Sequence, residues 1–508
     1  SIDPDQYYTL YGDGTGQRND APSQDNLYLK IERGQFYALF GDYETGLSKA
    51  RLMRYSRTLN GLKVEKGDGL ITFTAFAAET PQSFARDEIQ GNGTSGLYAL
   101  SKRGIVLNSE KIRIETRDRL NSFSILESKT LVPHLDYDID YAAGTIFFRQ
   151  PINSRDTSFN PIFIVTEYET LGVASNDINA GGRVALNLLN DRVAVGVSAV
   201  REENSLGKTD LTGVDVKVKL PGDTELRLEG AGSDGQQATV SRSGDAWLAE
   251  LEHHTGKIDL LAYARRQDSD FGVNQQSISE SGQQKLGVET QYRLDKDWSL
   301  LGEIYNQESL STQNTRDAAT AKVQYKVPAG GFGVGVQAIN DKAGSGALVG
   351  QEFSSEQLTA TANRFFFNRK LELSAQAEAA VGGNRDSIDF PNRYVLGAGY
   401  AINDHARLLA GQEFTDGGAF DTSTSRVGVQ VMPWKGARLD TTLNQSSMSE
   451  YGPRTFGQMG LTQAVLLGER WGLDFSADAS RTFNESTQAP VIINPNYPVA
   501  PGGTLTAG

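Results

Sequence analysis

Asp136, Asp138 and Asp140 alternate in LDYDIDY, so in an extended strand they share one face. Three carboxylates on one face are the oxygen ligands calcium takes, which makes them a candidate calcium site. The EF-hand pattern is not met: Tyr141 stands where that loop needs glycine, and no glutamate closes it. The favoured alternative is a solvated strand face, with Tyr137, Ile139 and Tyr141 turned to a core and Ala142-Ala143-Gly144 as the turn. GNGTSG, residues 91–96, has the glycines of a phosphate-cradling loop but lacks the Lys-Ser/Thr ending and a preceding apolar strand, so it reads as a surface loop. The four histidines are His134, His253, His254 and His405. His254 shares a face with Glu250 and Glu252, yet no serine can be assigned to it, so no catalytic residue is expected and the chain is not read as an enzyme.

More charge lies on alternate positions of apolar strands. TGVDVKVKLPGDTELRLEG sets Val214, Val216, Val218 and Leu220 on one face and Asp215, Lys217 and Lys219 on the other. After the turn, Leu226 and Leu228 oppose Glu225, Arg227 and Glu229. The same pattern places Glu289, Arg293, Glu303, Lys322, Lys326, Glu372 and Glu378 opposite an apolar face. A charged face cannot meet lipid cheaply, so these residues are expected to line a wet lumen. Their mixed signs argue against the single-sign ring of an ion-selective pore. Gly331, Gly333 and Gly335 interleave with Phe332, Val334 and Val336, leaving the lumenal face of one strand bare. Either the strand bends there or another element, such as a docked plug, packs against it.

The unit that positions these residues is the hairpin, as in RVALNLLNDRVAVGVSAV, where Asn190-Asp191 punctuates two runs of period two. Roughly eighteen strands of about ten residues follow one another between 181 and 482. Connections alternate between tight turns and long polar stretches such as REENSLGKT and SDGQQATVSRSGD, as transmembrane barrels show with short periplasmic turns and long extracellular loops. Tyr292, Trp298, Tyr325, Phe332, Trp434 and Trp471 stand beside the short turns, where an interfacial girdle belongs. A propeller or solenoid would need a fixed sequence repeat, and none occurs. The fold class expected is all-β: a large antiparallel transmembrane β-barrel whose apolar face meets outer-membrane lipid and lipopolysaccharide.

The totals agree. The 508 residues include 54 glycines and no cysteine, which excludes disulfides and thiolate metal sites. A net charge of −14 leaves no basic surplus for nucleic acid. No run of about eighteen apolar residues offers a helical span.

Residues 1–80 read as the first barrel strands: QYYTLYG, NLYLKIER with QFYALFGDY, and RLMRYSRTLNGLKVE with LITFTAFAAE. From 81 to 168 the rhythm breaks into irregular strands that suit an inserted β-sandwich, either a plug in the lumen or a cap on the mouth. Residues 169–482 are the main barrel hairpins, and 483–508 read as a long loop. About 23 strands are visible where an even number, 24 or more, is expected, so the chain is expected to continue beyond Gly508.

An insert after the early strands resembles the arrangement of chaperone-usher pilus ushers. LVPHLDYDIDYAAGTIFF with RGIVLNSEKIRIETRDR also resembles segments of SprA-type gliding-motility secretion translocons, over roughly 50 residues of strand pattern. TonB-dependent receptors differ in carrying their plug before the barrel. These resemblances imply a bacterial outer-membrane location and a plugged or gated conduit for a secreted protein or polymer, with periplasmic or surface accessory proteins as partners. The alternative is a structural anchor or adhesin-type barrel carrying a surface region, and a solute porin is disfavoured.

Overall fold

The computed structural model describes residues 29–485 apart from 80–81, 92–97, 118–124, 134–135, 149–151, 153–159, 172–177, 205–206, 238–239, 274–275, 277–279, 346–348, 386–389, 417–420, 449–451 and 468–470. QYYTLYG, most of GNGTSG, His134 and the loop after 485 therefore lie outside the described residues.

Four wall strands come first: β1 (Leu29–Arg33), β2 (Phe36–Glu44), β3 (Thr58–Lys66) and β4 (Ile71–Glu79). Seven short strands follow: β5 (Gln82–Gln90), β6 (Tyr98–Ala99), β7 (Lys111–Arg117), β8 (Ile125–Thr130), β9 (Tyr137–Asp140), β10 (Thr145–Phe148) and β11 (Ile162–Leu171). The wall resumes with β12 (Ile178–Leu188), β13 (Val193–Asn204), β14 (Gly207–Leu220), β15 (Thr224–Gln237), β16 (Val240–His254) and β17 (Ile258–Gln267). It continues through β18 (Gln283–Arg293), β19 (Trp298–Ser309), β20 (Thr315–Val327), β21 (Gly330–Lys342), β22 (Glu352–Phe366) and β23 (Leu371–Arg385). The last six are β24 (Asn392–Asn403), β25 (Ala406–Asp416), β26 (Asp421–Val431), β27 (Ala437–Met448), β28 (Gly452–Leu467) and β29 (Trp471–Glu485).

Each wall strand pairs antiparallel with the next, β4 pairs directly with β12, and the whole forms one sheet of 22 strands. Val184, Val197, Val214, Leu286, Ile304, Val336, Leu396 and Val427 are all more than half exposed on its outer face. Such a belt of apolar side chains is stable only against lipid. Trp298, Tyr325 and Phe332 stand side by side near the short turns, Trp298 lying 4.8 and 5.6 Å from the other two ring centres. Leu189, Asn190 and Asp191 take φ of +55°, +58° and +61°, the left-handed geometry that tight hairpins need.

Two expectations change. Much of REENSLGKT and SDGQQATVSRSGD is strand: β13 runs to Asn204 before β14 starts at Gly207, and β15 runs to Gln237 before β16 starts at Val240. The wall strands after β11 have 10 to 16 residues, where about 9–11 cross the lipid. The ladder simply continues into water, where Arg201 and Asp210 pair across it at 2.6 Å. The second change concerns RLMRYSRTLNGLKVE, which is not one strand: β3 starts only at Thr58, and residues 45–57 do something else.

Between β4 and β12 the chain forms a four-stranded sheet, β5-β11-β7-β8, and a three-stranded one, β6-β10-β9. Tyr98, Ile112, Tyr137, Ile146, Phe148, Ile164 and Tyr168 gather in one buried cluster drawn from both sheets. Arg86, Glu88, Arg113, Glu115, Arg117 and Glu167 are joined by ion pairs across β5, β11 and β7.

Candidate functional site

The β2–β3 hairpin extends past its strands. Thr45 and Leu47 carry its ladder on to Arg57 and Tyr55 with N···O distances of 2.9–3.0 Å, and residues 48–54 form a tip. Gly46 has φ +66°, a conformation a side chain would strain, and sits where the extension departs from β2. The tip packs on the inner side of the wall. Leu52, Met53 and Tyr55 share a buried cluster with Leu39 and Tyr43 of β2, Phe76 of β4, and Val200, Leu211 and Leu248 of β13, β14 and β16. Tyr55 stacks on Phe76 with ring centres 5.5 Å apart. This sector of the lumen is apolar and filled, where a wet charged lining is expected throughout.

Polar contacts fix the tip at two levels. Deep in the barrel, the backbone N–H groups of Arg51 and Leu52 donate to the two oxygens of Glu229 at 3.0 and 2.9 Å. The Arg51 guanidinium reaches Glu250 at 2.7 Å and Glu252 at 3.2 Å. Gln276 donates to the carbonyls of Leu52 and Arg54. Nearer the mouth, Arg57 is fully buried. Its guanidinium pairs with Glu169 of β11, Nε to Oε1 at 2.6 Å, and with Glu202 of β13 at 3.3 Å. Burial alone would weaken the hold of Arg57 on its proton, but the Glu169 carboxylate beside it, with Glu202, outweighs burial and raises its basicity. Lys111 of β7 adds a contact to Glu44 and Ser56. One arginine thus ties together the hairpin extension, the inserted sheets and the barrel wall.

The residues read as lumenal are spread around the wall. Lys217, Glu225 and Arg227 meet, with Lys217 2.7 Å and Arg227 3.1 Å from Glu225. Lys219 faces Glu225 in register, and Glu289 faces Glu303. Arg293 pairs with Asp259, Glu372 with Arg407 at 2.6 Å, and Glu378 with Arg393 at 3.9 Å. Lys326 pairs in register with Gly331. Of this set Glu229 touches the tip.

Gly331, Gly333 and Gly335, read as either a bend or a plug contact, lie tight against their neighbours in the wall. The atoms nearest to where a Cβ would stand belong to flanking strands: the Tyr325 carbonyl at 2.4 Å, the Lys322 Cε at 2.5 Å and the Ala321 carbonyl at 2.5 Å. The glycines make room for Lys322 and the neighbouring backbone. Two aspartates of the calcium reading have local backbone partners. Asp136 accepts from the Val132 N–H at 2.9 Å, and Asp140 from the N–H groups of Ala142 and Ala143 at 3.0 and 2.9 Å, so each carboxylate caps its own turn. The side chain of Asp138 lies outside the described residues. Among the described residues no three His, Cys, Asp or Glu side chains gather as a metal would require. His253 bonds Thr224 at 2.6 Å and His254 bonds Asp259 at 3.2 Å, both near the short turns.

Arg51, Leu52, Arg57, Glu169, Glu202 and Glu250 form the site, and sequence reasoning missed all of them in this role. The available signal was the break in alternation at Leu52-Met53 after Gly46.

An apolar outer belt, an aromatic girdle at the short turns and ion-paired inner faces define a large outer-membrane β-barrel. No protein-family profile matches the sequence, and neither does any curated protein. Among solved structures it is similar to the P pilus usher (PapC) translocation pore, with 12% identity and a TM-score of 0.41 over 90% of this chain and 86% of that one. An E. coli P pilus tip assembly intermediate, PapC-PapD-PapK-PapG, gives 14% identity and 0.40, over 86% of this chain and 52% of that one. The FrpB iron transporter from Neisseria meningitidis gives 10% identity and 0.33, over 60% of this chain and 72% of that one.

Proposed function

We propose that this chain is a gated conduit of the outer membrane, held closed by the 48–54 tip and the inserted sheets, that passes a protein or polymer outward. The observation that carries the reading is the tip, folded into the lumen and latched by the buried Arg57–Glu169–Glu202 group. A barrel of this circumference encloses a lumen that leaks unless something fills it. Inner charges of mixed sign, joined in pairs, suit a wide path for a polar passenger better than an ion-selective pore. The reading assigns the chain no catalysis, and accessory proteins at either mouth are its expected partners.

Planar-bilayer conductance tests it on three forms of the chain: intact, with residues 82–171 replaced by a short linker, and with residues 48–54 replaced by Gly and Ser. The intact form should be nearly silent and both variants should conduct. If all three are silent, the lumen is closed by other means, and the anchor reading, a barrel holding a surface region, takes its place. If all three conduct equally, neither element gates.

A further inference from the structure

We propose that Glu229, Glu250 and Glu252 on the lumenal wall form a receptor for a polypeptide turn carrying an arginine followed by apolar residues, and that the tip occupies it as an internal mimic. The inference rests on the gated-conduit reading and gives the passenger a chemistry.

The contacts at the tip are of three kinds, none specific to a covalently attached segment. Glu229 binds main chain, accepting from two successive N–H groups at 3.0 and 2.9 Å, and Gln276 answers with donors to two carbonyls. Glu250 and Glu252 bind a guanidinium, a charge-assisted fork that a neutral polymer cannot supply. The apolar residues after Arg51 sit on a shelf formed by Leu248 and the bare backbone of Gly213, where a Cβ would lie 2.6 Å from the Met53 sulfur. Any chain that turns as residues 51–54 do, where the Arg54 N–H reaches back to the Arg51 carbonyl, and that presents arginine, then leucine- and methionine-like side chains, can repeat these contacts.

When the tip withdraws, the wall loses the Arg51 guanidinium, while Arg227 stays 3.1 Å from Glu225. Glu250 retains Arg265 at 2.7 Å, while Glu229 and Glu252 lose the tip contacts just described. One oxygen of Glu250 already has no hydrogen-bond partner although the side chain is buried. The emptied carboxylates face water until a basic group returns to make charge-assisted bonds with them. A passenger carrying one restores the pairing and holds the conduit open, because tip and passenger compete for the same carboxylates.

The test uses the full chain with residues 48–54 replaced by Gly and Ser, and a fluorescent peptide copying residues 47–56, read by anisotropy. The peptide should bind, and the intact chain should bind it at least about tenfold more weakly because its own tip fills the site. Glu250→Gln in the protein, or Arg51→Gln in the peptide, should each weaken binding roughly tenfold to a hundredfold. Absence of binding, binding indifferent to both changes, or equal binding of a neutral dextran overturns the proposal. A second variant, Leu52→Asp in the intact chain, unseats the tip by burying a charge and must also take up the peptide, which guards against a Gly/Ser chain that fails to assemble. If the Gly/Ser chain conducts but binds no peptide, the receptor falls and the conduit stands. If it binds peptide but stays silent, the receptor stands and the conduit falls.

Discussion

Replacing Arg57 with methionine keeps most of the buried volume and removes the guanidinium that compensates Glu169 and Glu202 at that point of the lumen. Both carboxylates are almost wholly buried, so breaking the group by removing one partner should cost the closed arrangement about 3–5 kcal/mol. With every 1.4 kcal/mol worth a factor of ten, the ratio of open to closed should rise by roughly 10²- to 4 × 10³-fold. Single-channel recording in planar bilayers reads that ratio as open probability: Arg57→Met should gate open for much of the record where the parent is silent. The decisive control replaces the whole group, Arg57→Met with Glu169→Leu and Glu202→Leu. A packed apolar substitute for a buried ion group is commonly neutral or stabilising, so the triple variant should be as silent as the parent. If it leaks as much as the single variant, Arg57 does not act through those two carboxylates. If neither variant leaks, the latch is not what holds the tip.

Val336 is exposed on the outer belt of β21, and Val336→Arg should destabilise the barrel by about 2–4 kcal/mol in urea titrations in lipid vesicles, whereas an arginine at the inward Gln376 should cost far less. Gly46→Ala places a side chain at φ +66° and should weaken the bend by about 1–2 kcal/mol, read as faster protease cleavage at Arg51 and Arg54 with the barrel itself intact. In the inserted sheets, burial pushes the Glu167 carboxyl up, but the Arg113 guanidinium beside it outweighs burial and holds it below the usual carboxylate range; Arg117 does the same for Glu88. A carboxyl whose folded pKa is depressed contributes stability that is fully present above its unfolded pKa, near about 4.3, and is lost as pH falls through the depressed value. Amide exchange in β5, β7 and β11 should therefore quicken below about pH 4, and Glu167→Gln should flatten that slope. An unchanged slope would sink this account of the ion pairs.

The barrel was legible because its signal is local. Period-two alternation such as Val193, Val195 and Val197 against Ala194, Gly196 and Ser198 names a strand with one lipid face, and Asn190-Asp191 names the turn, without knowledge of any distant residue. The strands resume after a break in rhythm near residue 81, and β4 in fact pairs with β12 across that interruption. Strand ends were less legible, since polar residues such as Arg201 and Asp210 fit an extended ladder in water as well as they fit a loop. The tip and its latch were not legible at all. Arg57 meets Glu169 across 112 residues of chain, and Leu52 meets Glu229 across 177, so nothing near either arginine or glutamate distinguishes it from any other charge on an inner face. The pairing of β4 with β12 and the inward fold of the hairpin tip bring those groups together, and once they are buried only paired charges are tolerable there. Sequence alone determined that the chain makes a lipid-facing barrel; the tertiary structure decided what fills it, because the residues that fill a lumen are chosen by what stands opposite them in space.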